Sequence, residues 1–438
     1  MTKPTSPDAK HGSPINRFLK VLGPGVITGA ADDDPSGIAT YSQTGAQFGL
    51  GQLWTAIYQV SLLLAVQEAC ARIGSVTGKG LAGVIKQHYS RRVLIAVVLL
   101  VLAANTINIG ADIGAVAAAG QLVIKAPFPL LAIATAVLVV LLEVLLSYKR
   151  YAQILKWLAL ALLAYPATAL IVQEPWDKIL YASLVPHVEF TFAFLFIITG
   201  VFGTSITPYM FFWQASQEIE ELIAQGVPNK RDGAPDLPSY FIRNMRVDTT
   251  VGMVAAEVVQ WFIIMTTATV LFSHGVTTIS TAADAAKALE PLVRSFPNSG
   301  QLAKDLFAVG VIGLGLLAIP VLAGSSSYAL SEAMEWKQGL SLKFGDARAF
   351  YGVIVASTLV GLLLNFVGIN PIKALVFTAV FNGIAAVPLL LLIGLINRDK
   401  AILGDQRGGW LSQSVIWLTF GVMALSAVAL LYTTVMPK

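Results

Sequence analysis

Three aspartates in a row, Asp32, Asp33 and Asp34, interrupt an otherwise apolar stretch and are followed at once by Pro35-Ser36-Gly37. A carboxylate at the centre of a membrane span costs about 3 kcal/mol or more, so three together point to function rather than packing. Proline removes a backbone donor and disfavours helical geometry in the residue before it, which pushes Asp34 out of the helix; Gly37 then lets the chain restart. The same kind of break recurs at Thr207-Pro208-Tyr209. The carbonyls of Ala31 and Thr204, three residues before each broken point, are freed by these breaks. In hydrocarbon such groups survive only where they line a protein cavity or bind an ion. Carboxylate and carbonyl oxygens brought together are donors for a cation. A single proline in a membrane helix more often makes a kink than a site, but two matching breaks favour the site.

The elements that must hold these residues are membrane helices. Only 12% of the 438 residues are charged and 56% are hydrophobic, with a mean hydropathy of +0.72, where soluble proteins carry about a quarter charged residues. That balance sets aside a soluble enzyme, and the net charge of +4 gives no nucleic-acid partner because the excess sits in alternate loops. A span takes about 20 mostly apolar residues. On that measure there are about eleven, near 21–49, 52–74, 92–123, 128–147, 151–173, 190–224, 245–273, 302–335, 348–368, 371–397 and 411–435. With the N-terminus in the cytoplasm, about 22 of the 29 Lys and Arg fall on the inner side, among them Lys79, Lys86, Arg91, Arg92, Lys149, Arg150, Arg243, Arg246 and Arg398. The C-terminus then lies outside. The first stretch has no small-residue cleavage site and reads as a retained span. A polar tail over 1–16 is expected to be disordered, and 17–438 to form one transmembrane domain. In the outer connection, Thr281 to Glu290 has the pattern of a short surface helix. Cys70 falls inside a span and has no partner for a disulfide. Glu68, Glu143, Glu257, Asn365 and Asn382 are read mainly as helix-packing groups; Asp112 is set apart below.

The two breaks lie five helices apart. An odd number of helices per repeat inverts the second copy, so the breaks would face each other near the midplane. The expected fold is therefore an all-α polytopic membrane protein of the LeuT-like kind. It has a 5+5 inverted repeat over about 20–175 and 188–398, broken helices one and six, and an extra helix near 411–435.

Several further stretches cluster around these breaks. Gly23-Pro24-Gly25 leads to Asp34-Pro35, followed by Gly45-Ala46-Gln47-Phe48-Gly49 and Leu53-Trp54. Gln67, Ala71-Arg72, Gly74 and Thr77-Gly78-Lys79 come next, then Pro175-Trp176, Leu184-Val185-Pro186, Asp248-Thr249, Ser325-Ser326 and Met334-Glu335. In these positions the sequence resembles the Nramp family of divalent metal transporters along nearly its whole length. The departures are informative. The family's D-P-G-N reads Asp34-Pro35-Ser36-Gly37, so the aspartate ligand is kept and the asparagine ligand becomes Gly37. Its M-P-H reads Thr207-Pro208-Tyr209, which removes a thioether and an imidazole, and its glutamine in span ten reads Ala379. Oxygen donors suit Mg, Ca and Mn, whereas thioether sulfur favours softer metals. The vacated volume is expected to hold waters retained by a hard ion.

The resemblance implies import of a divalent cation, Mg2+ with Mn2+ tolerated, by alternating access, as in the prokaryotic Nramp-related magnesium transporters. Asp34 would bind the ion, Asp33 and Asp32 would attract it or hold its hydration shell, Ala31 and Thr204 would offer carbonyls, and Thr207 and Tyr209 hydroxyls. Asn382, one turn beyond Ala379, is a further oxygen donor. The family's acidic pair in span three reads Asp112 and Ala115, and none of His11, His88, His187 and His274 falls inside a span, so proton coupling loses its usual groups. The location implied is a prokaryotic inner membrane, with lipid and the transported cation as partners and no cofactor. The alternative is a proton-coupled Mn2+ or Fe2+ Nramp transporter with a degenerate site. A sodium-coupled carrier of organic substrates, a channel, a magnesium sensor and an intramembrane aspartyl enzyme are more distant; for the enzyme there is neither a metal-binding histidine pair nor an activated serine motif.

Overall fold

The computed structural model describes residues 23–145, 163–172, 175–230 and 233–435. The tail over 1–16, the first part of the fifth span, Lys149 and Arg150 lie outside them. The first span comprises α1 (Pro24–Asp32) and α2 (Pro35–Phe48). Then follow α3 (Trp54–Thr77), α4 (Arg91–Val123), α5 (Phe128–Leu145) and α6 (Ala164–Ile171). The second interrupted span comprises α7 (Phe192–Ser205) and α8 (Pro208–Ala224). It is followed by α9 (Phe241–Val270), α10 (Ser299–Met334), α11 (Arg348–Leu364), α12 (Pro371–Arg398) and α13 (Trp410–Val435). Among the described residues eight helices are long and apolar enough to cross a membrane, with α7 and α8 counted as one.

Both interruptions fall where the prolines demand them, but they are shorter than expected. The chain restarts at Pro35 and not at Gly37, leaving only Asp33 and Asp34 outside the helices. Proline is pre-organised for the first helical turn, where its missing N–H is no loss. Asp34 is extended (φ −60, ψ 170) and caps α2, its side chain accepting from the Gly37 N–H. Gly37 is thus a helical residue. In the second break Ile206 and Thr207 are outside, and Pro208 opens α8. Proline alone does not cause such breaks: Pro320 and Pro388 sit inside the unbroken α10 and α12.

The broken helices are held by close backbone approaches, which suit a bilayer where van der Waals contact replaces hydrophobic driving force. The first span packs on α9, α7 on α12, α8 on α3 and α10 on α4. Gly29 meets Gly252 so tightly that a Cβ on either would strike the other helix's backbone, and a Cβ on Gly203 would strike the Ala379 carbonyl. Gly23 has no side chain with which to cap α1. Asp248 of α9 does so instead, accepting from the N–H groups of Gly23 (2.7 Å), Gly25 (2.6 Å) and Val26 (3.2 Å).

Three local expectations are met, whereas Glu143 and Glu257, read as helix-packing groups, are buried with no hydrogen-bond partner for either carboxylate oxygen. A short helix, Ala282–Ala286, follows a capping box between Thr281 and Asp284. Cys70 is buried with a free thiol. Glu68 pairs with Arg72 and with Arg246 (2.8 Å), and Asn365 donates to the Gly110 carbonyl at 2.9 Å, so both tie helices together.

Candidate metal site

Asp34 is fully buried and its carboxylate is held by three neutral donors. Oδ1 accepts from the Ser36 hydroxyl (2.6 Å) and the Gly37 N–H (2.8 Å), and Oδ2 accepts from the Asn108 amide (2.9 Å). The Ser36 hydroxyl also lies 3.1 Å from that of Thr204. Its single proton is spent on Asp34, so Thr204 donates. One hydroxyl pair therefore couples the first break to the end of α7.

Ala31 and Tyr209 are likewise brought together, the tyrosine hydroxyl donating to the Ala31 carbonyl at 2.9 Å. Tyr209 thus crosses from the second break to the last turn of α1, and one lone pair of each oxygen stays free. The Thr207 hydroxyl is buried with no hydrogen-bond partner. Ala31 and Thr204 stand in the last turns of α1 and α7, where helix carbonyls lack internal partners and the dipole is negative. Two negative helix ends and one carboxylate therefore converge.

At Gly37 the expected spare volume is bordered closely. A Cβ on Gly37 would meet the Tyr41 ring at 3.2 Å, the Asp32 carbonyl at 3.3 Å and the Thr204 hydroxyl at 3.5 Å. Tyr41 is held in that place by a hydrogen bond to Ser205 (2.8 Å). Ala379 is itself fully buried, and its backbone carbonyl lies against α7 at Gly203. Asn382 is buried on α12, which packs on α2 and α7, and makes none of the hydrogen bonds that join the two breaks.

Four more carboxylates are buried nearby in the fold: Asp32, Asp33, Asp112 and Glu257. Asp32 and Asp33 each have one oxygen without a hydrogen-bond partner, and Asp112 and Glu257 have both. Asp112 is one helical turn beyond Asn108 on α4, and none of the four forms an ion pair among the described residues. Buried charge without a partner costs several kcal/mol, so the region is built to take up positive charge as cations or protons. Among the described residues no three of His, Cys, Asp and Glu are arranged to hold a metal ion. The donor set is one carboxylate with neutral oxygens. His88 ends a short helix and His274 ends another, His187 is exposed in a loop beside Glu189, and His11 lies outside the described residues.

Sequence reasoning missed three residues of this arrangement. Asn108 carried a legible signal, since Asn105, Asn108 and Asp112 recur at helical spacing in an otherwise apolar span. The stripe faces inward, with Asn105 donating to the Leu322 carbonyl (3.2 Å) and to Ser326 (3.0 Å). Ser36 was visible only as a member of the break. Asp248 was named only in the Asp248-Thr249 resemblance; its capping role gave no local signal, because its partners lie more than two hundred positions away.

Interrupted helices around a buried acidic site define an all-α polytopic membrane protein related in structure to the LeuT-fold transporters. A manganese transporter of Eremococcus coleocola superposes with a TM-score of 0.75 over 97% of this chain and 88% of that chain, at 17% identity. MhsT in complex with L-phenylalanine gives 0.59 over 97% and 98%, at 12% identity; at these identities the likeness is one of fold. The chain belongs to the Nramp family, whose natural resistance-associated macrophage protein-like pattern matches residues 25–433. Among its curated relatives is the divalent metal cation transporter MntH of Caldanaerobacter subterraneus subsp. tengcongensis, 24% identical over 401 residues, covering 87% of this chain and 86% of the relative. The protein of the same name in Aeromonas hydrophila subsp. hydrophila is 24% identical over 433 residues, covering 95% and 98%. These relatives are transporters, not enzymes.

Proposed function

We propose that the chain carries divalent metal cations across a prokaryotic inner membrane by alternating access, with Asp34 as the binding carboxylate. The single observation that carries this reading is the Asp34 geometry: a buried carboxylate held by three neutral donors, without a paired cation, at the unwound junction of α1 and α2. Ala31 and Thr204 add oxygen at the negative helix ends; Thr207 adds an unpartnered hydroxyl. Asp33, with Asp32 behind it, keeps the approach negative. Eleven spans in a 5+5 inverted repeat, N-terminus inside and C-terminus outside, complete the architecture. The element pairing supports that repeat, since the first span lies on the seventh as the sixth lies on the second. A negative interior would drive entry, two charges across 100 mV being worth about 4.6 kcal/mol.

The finer readings divide on the ion and its coupling. The names of the relatives, manganese transporter and divalent metal cation transporter, favour Mn2+ with the coupling usual in the family. The donor set supports Mg2+ as a second substrate, because the candidate ligands, the Asp34 carboxylate, the Ala31 and Thr204 carbonyls and the Thr207 hydroxyl, are all oxygens and hard ions accept oxygen donors. It also supports movement without proton coupling, since Tyr209 stands in place of an imidazole and its hydroxyl is engaged with Ala31. Uptake into proteoliposomes with a pH-sensitive dye inside separates these readings. Mn2+ uptake that Mg2+ inhibits, without internal acidification, is the outcome for the uncoupled Mg2+ reading. Acidification with no Mg2+ competition selects the coupled Mn2+ reading. Undiminished uptake by Asp34→Ala overturns both.

A further inference from the structure

Asn108 stands on α4, outside both breaks, and nothing above assigns it a role in ion binding. Its side chain is fully buried and its Nδ2 donates to Asp34 Oδ2 at 2.9 Å. The orientation of the amide is fixed by chemistry. A carboxylate only accepts, so Asn108 must turn its NH2 toward Asp34 and its Oδ1 away. That Oδ1 is buried with no hydrogen-bond partner. An amide carbonyl desolvated and left unpaired costs roughly 1–3 kcal/mol, a penalty that a packed helix would avoid with leucine, which has almost the same shape. The bond to Asp34 and the geometry of an amide together put Oδ1 within about 5 Å of Asp34 Oδ2. An ion held by that carboxylate oxygen, with the waters around it, falls within this reach. The neighbouring turns explain why no protein group fills the role: Asn105 is bonded to Leu322 and Ser326 on α10, and Asp112, one turn further on, brings only acceptors when ionised.

We infer that Asn108 is a binding residue for the transported cation, its Nδ2–H fixing the orientation of Asp34 and its Oδ1 accepting from a water that the ion retains. In effect α4 supplies the amide that Gly37 no longer supplies from the first break. The inference deepens the divalent-cation reading and rests on it.

The test uses the full-length protein in proteoliposomes and in detergent. Asn108→Leu preserves shape and removes both donor and acceptor. The expected result is a rise of about tenfold or more in KM for Mn2+ with Vmax within about threefold of wild type, together with loss of the thermal stabilisation expected from millimolar Mn2+ on the wild-type protein. Apo melting does not separate the readings, since the leucine variant removes an unpaired carbonyl but also the bond to Asp34 Oδ2; a merely structural asparagine would leave both KM and the Mn2+ shift intact whatever happens to apo stability. Asn108→Ser and Asn108→Ala provide a second reading should the leucine variant not fold. Serine keeps a short donor and acceptor and leaves space for water, so its KM should lie between those of wild type and the alanine variant. A leucine variant with wild-type KM and an undiminished Mn2+ shift overturns the inference, as do serine and alanine variants of equal KM. Asp34→Ala is measured alongside. If it retains uptake, the functional reading itself has failed; if it is dead while the Asn108 variants are normal, only the role of Asn108 has.

Discussion

Replacing Asp248 by Asn changes one oxygen for an amide nitrogen at the point where α9 holds the beginning of α1. In the native protein Oδ1 accepts from Gly23 and Val26, and Oδ2 accepts from Gly25. Asparagine can keep its oxygen on one side only. Whichever way it turns, an NH2 group faces at least one backbone N–H, and that donor is left buried and unsatisfied. Losing one hydrogen bond to a charged acceptor costs about 1.5–3 kcal/mol, and removing a negative charge from a helix N-terminus costs about 0.3–1 kcal/mol more. A total of roughly 2–4 kcal/mol should raise local opening of the first turn of α1 by about 30- to 1,000-fold. Hydrogen exchange read by mass spectrometry on a peptide covering residues 23–32 measures this directly. Peptides from α13, which packs chiefly on α12 and α7, should exchange as in wild type. Because α1 is only nine residues long and has no capping side chain of its own, exchange that is unchanged across 23–32 would refute the idea that Asp248 anchors this half-helix.

Three further outcomes follow from the same geometry. Gly29→Ala should abolish folded, monodisperse expression or cost more than about 3 kcal/mol, because the added Cβ collides with the Gly252 backbone; size-exclusion thermal stability of detergent extracts is the readout, and an unchanged melting point contradicts the packing argument. Thr207→Met should raise Cd2+ uptake relative to Mg2+ in proteoliposomes, since a thioether favours soft ions, while an unaltered ratio argues that Thr207 does not face the ion. At the surface helix, partial burial works to raise the Asp284 carboxyl, but the Lys287 ammonium and the Thr281 hydroxyl outweigh it and hold the group below the ordinary carboxylate value. A carboxyl depressed in the folded state stabilises above its unfolded value of about 3.9 and loses that contribution as pH falls through the folded one. Exchange protection of Ala282–Ala286 should therefore persist at neutral pH and fall only under strong acid, and Thr281→Ala should weaken it at every pH by about 1 kcal/mol.

The path from sequence to structure was most legible where the signal is local. Two prolines preceded by polar residues gave both breaks, and the aspartates gave the charge, because an X-Pro step and a buried carboxylate each carry a cost that needs no tertiary context. What failed was volume. Gly37 read as a lost side chain and hence as space, yet the Tyr41 ring, the Asp32 carbonyl and the Thr204 hydroxyl border it, since close packing leaves few voids. Asn108 lay between the two cases: its stripe with Asn105 and Asp112 was readable, but its acceptor is set by how α4 crosses the first break. Asp248 was out of reach for the same reason.

On the proposed function, two opposed demands meet at Asp34. A carboxylate without a counter-ion loses several kcal/mol on leaving water, yet a fixed lysine or arginine beside it would repel any arriving cation. Three neutral donors answer both. Each hydrogen bond to the charged group returns about 1.5–3 kcal/mol, which offsets much of the desolvation without placing positive charge in the site. They also use about three of the four lone-pair positions of the carboxylate, so roughly one is left for an ion. A single free carboxylate position, aided by carbonyls such as that of Ala31, binds more weakly than the closed cage of a resident metal centre. Weak attachment is what a carrier requires, because the ion must leave on the other side.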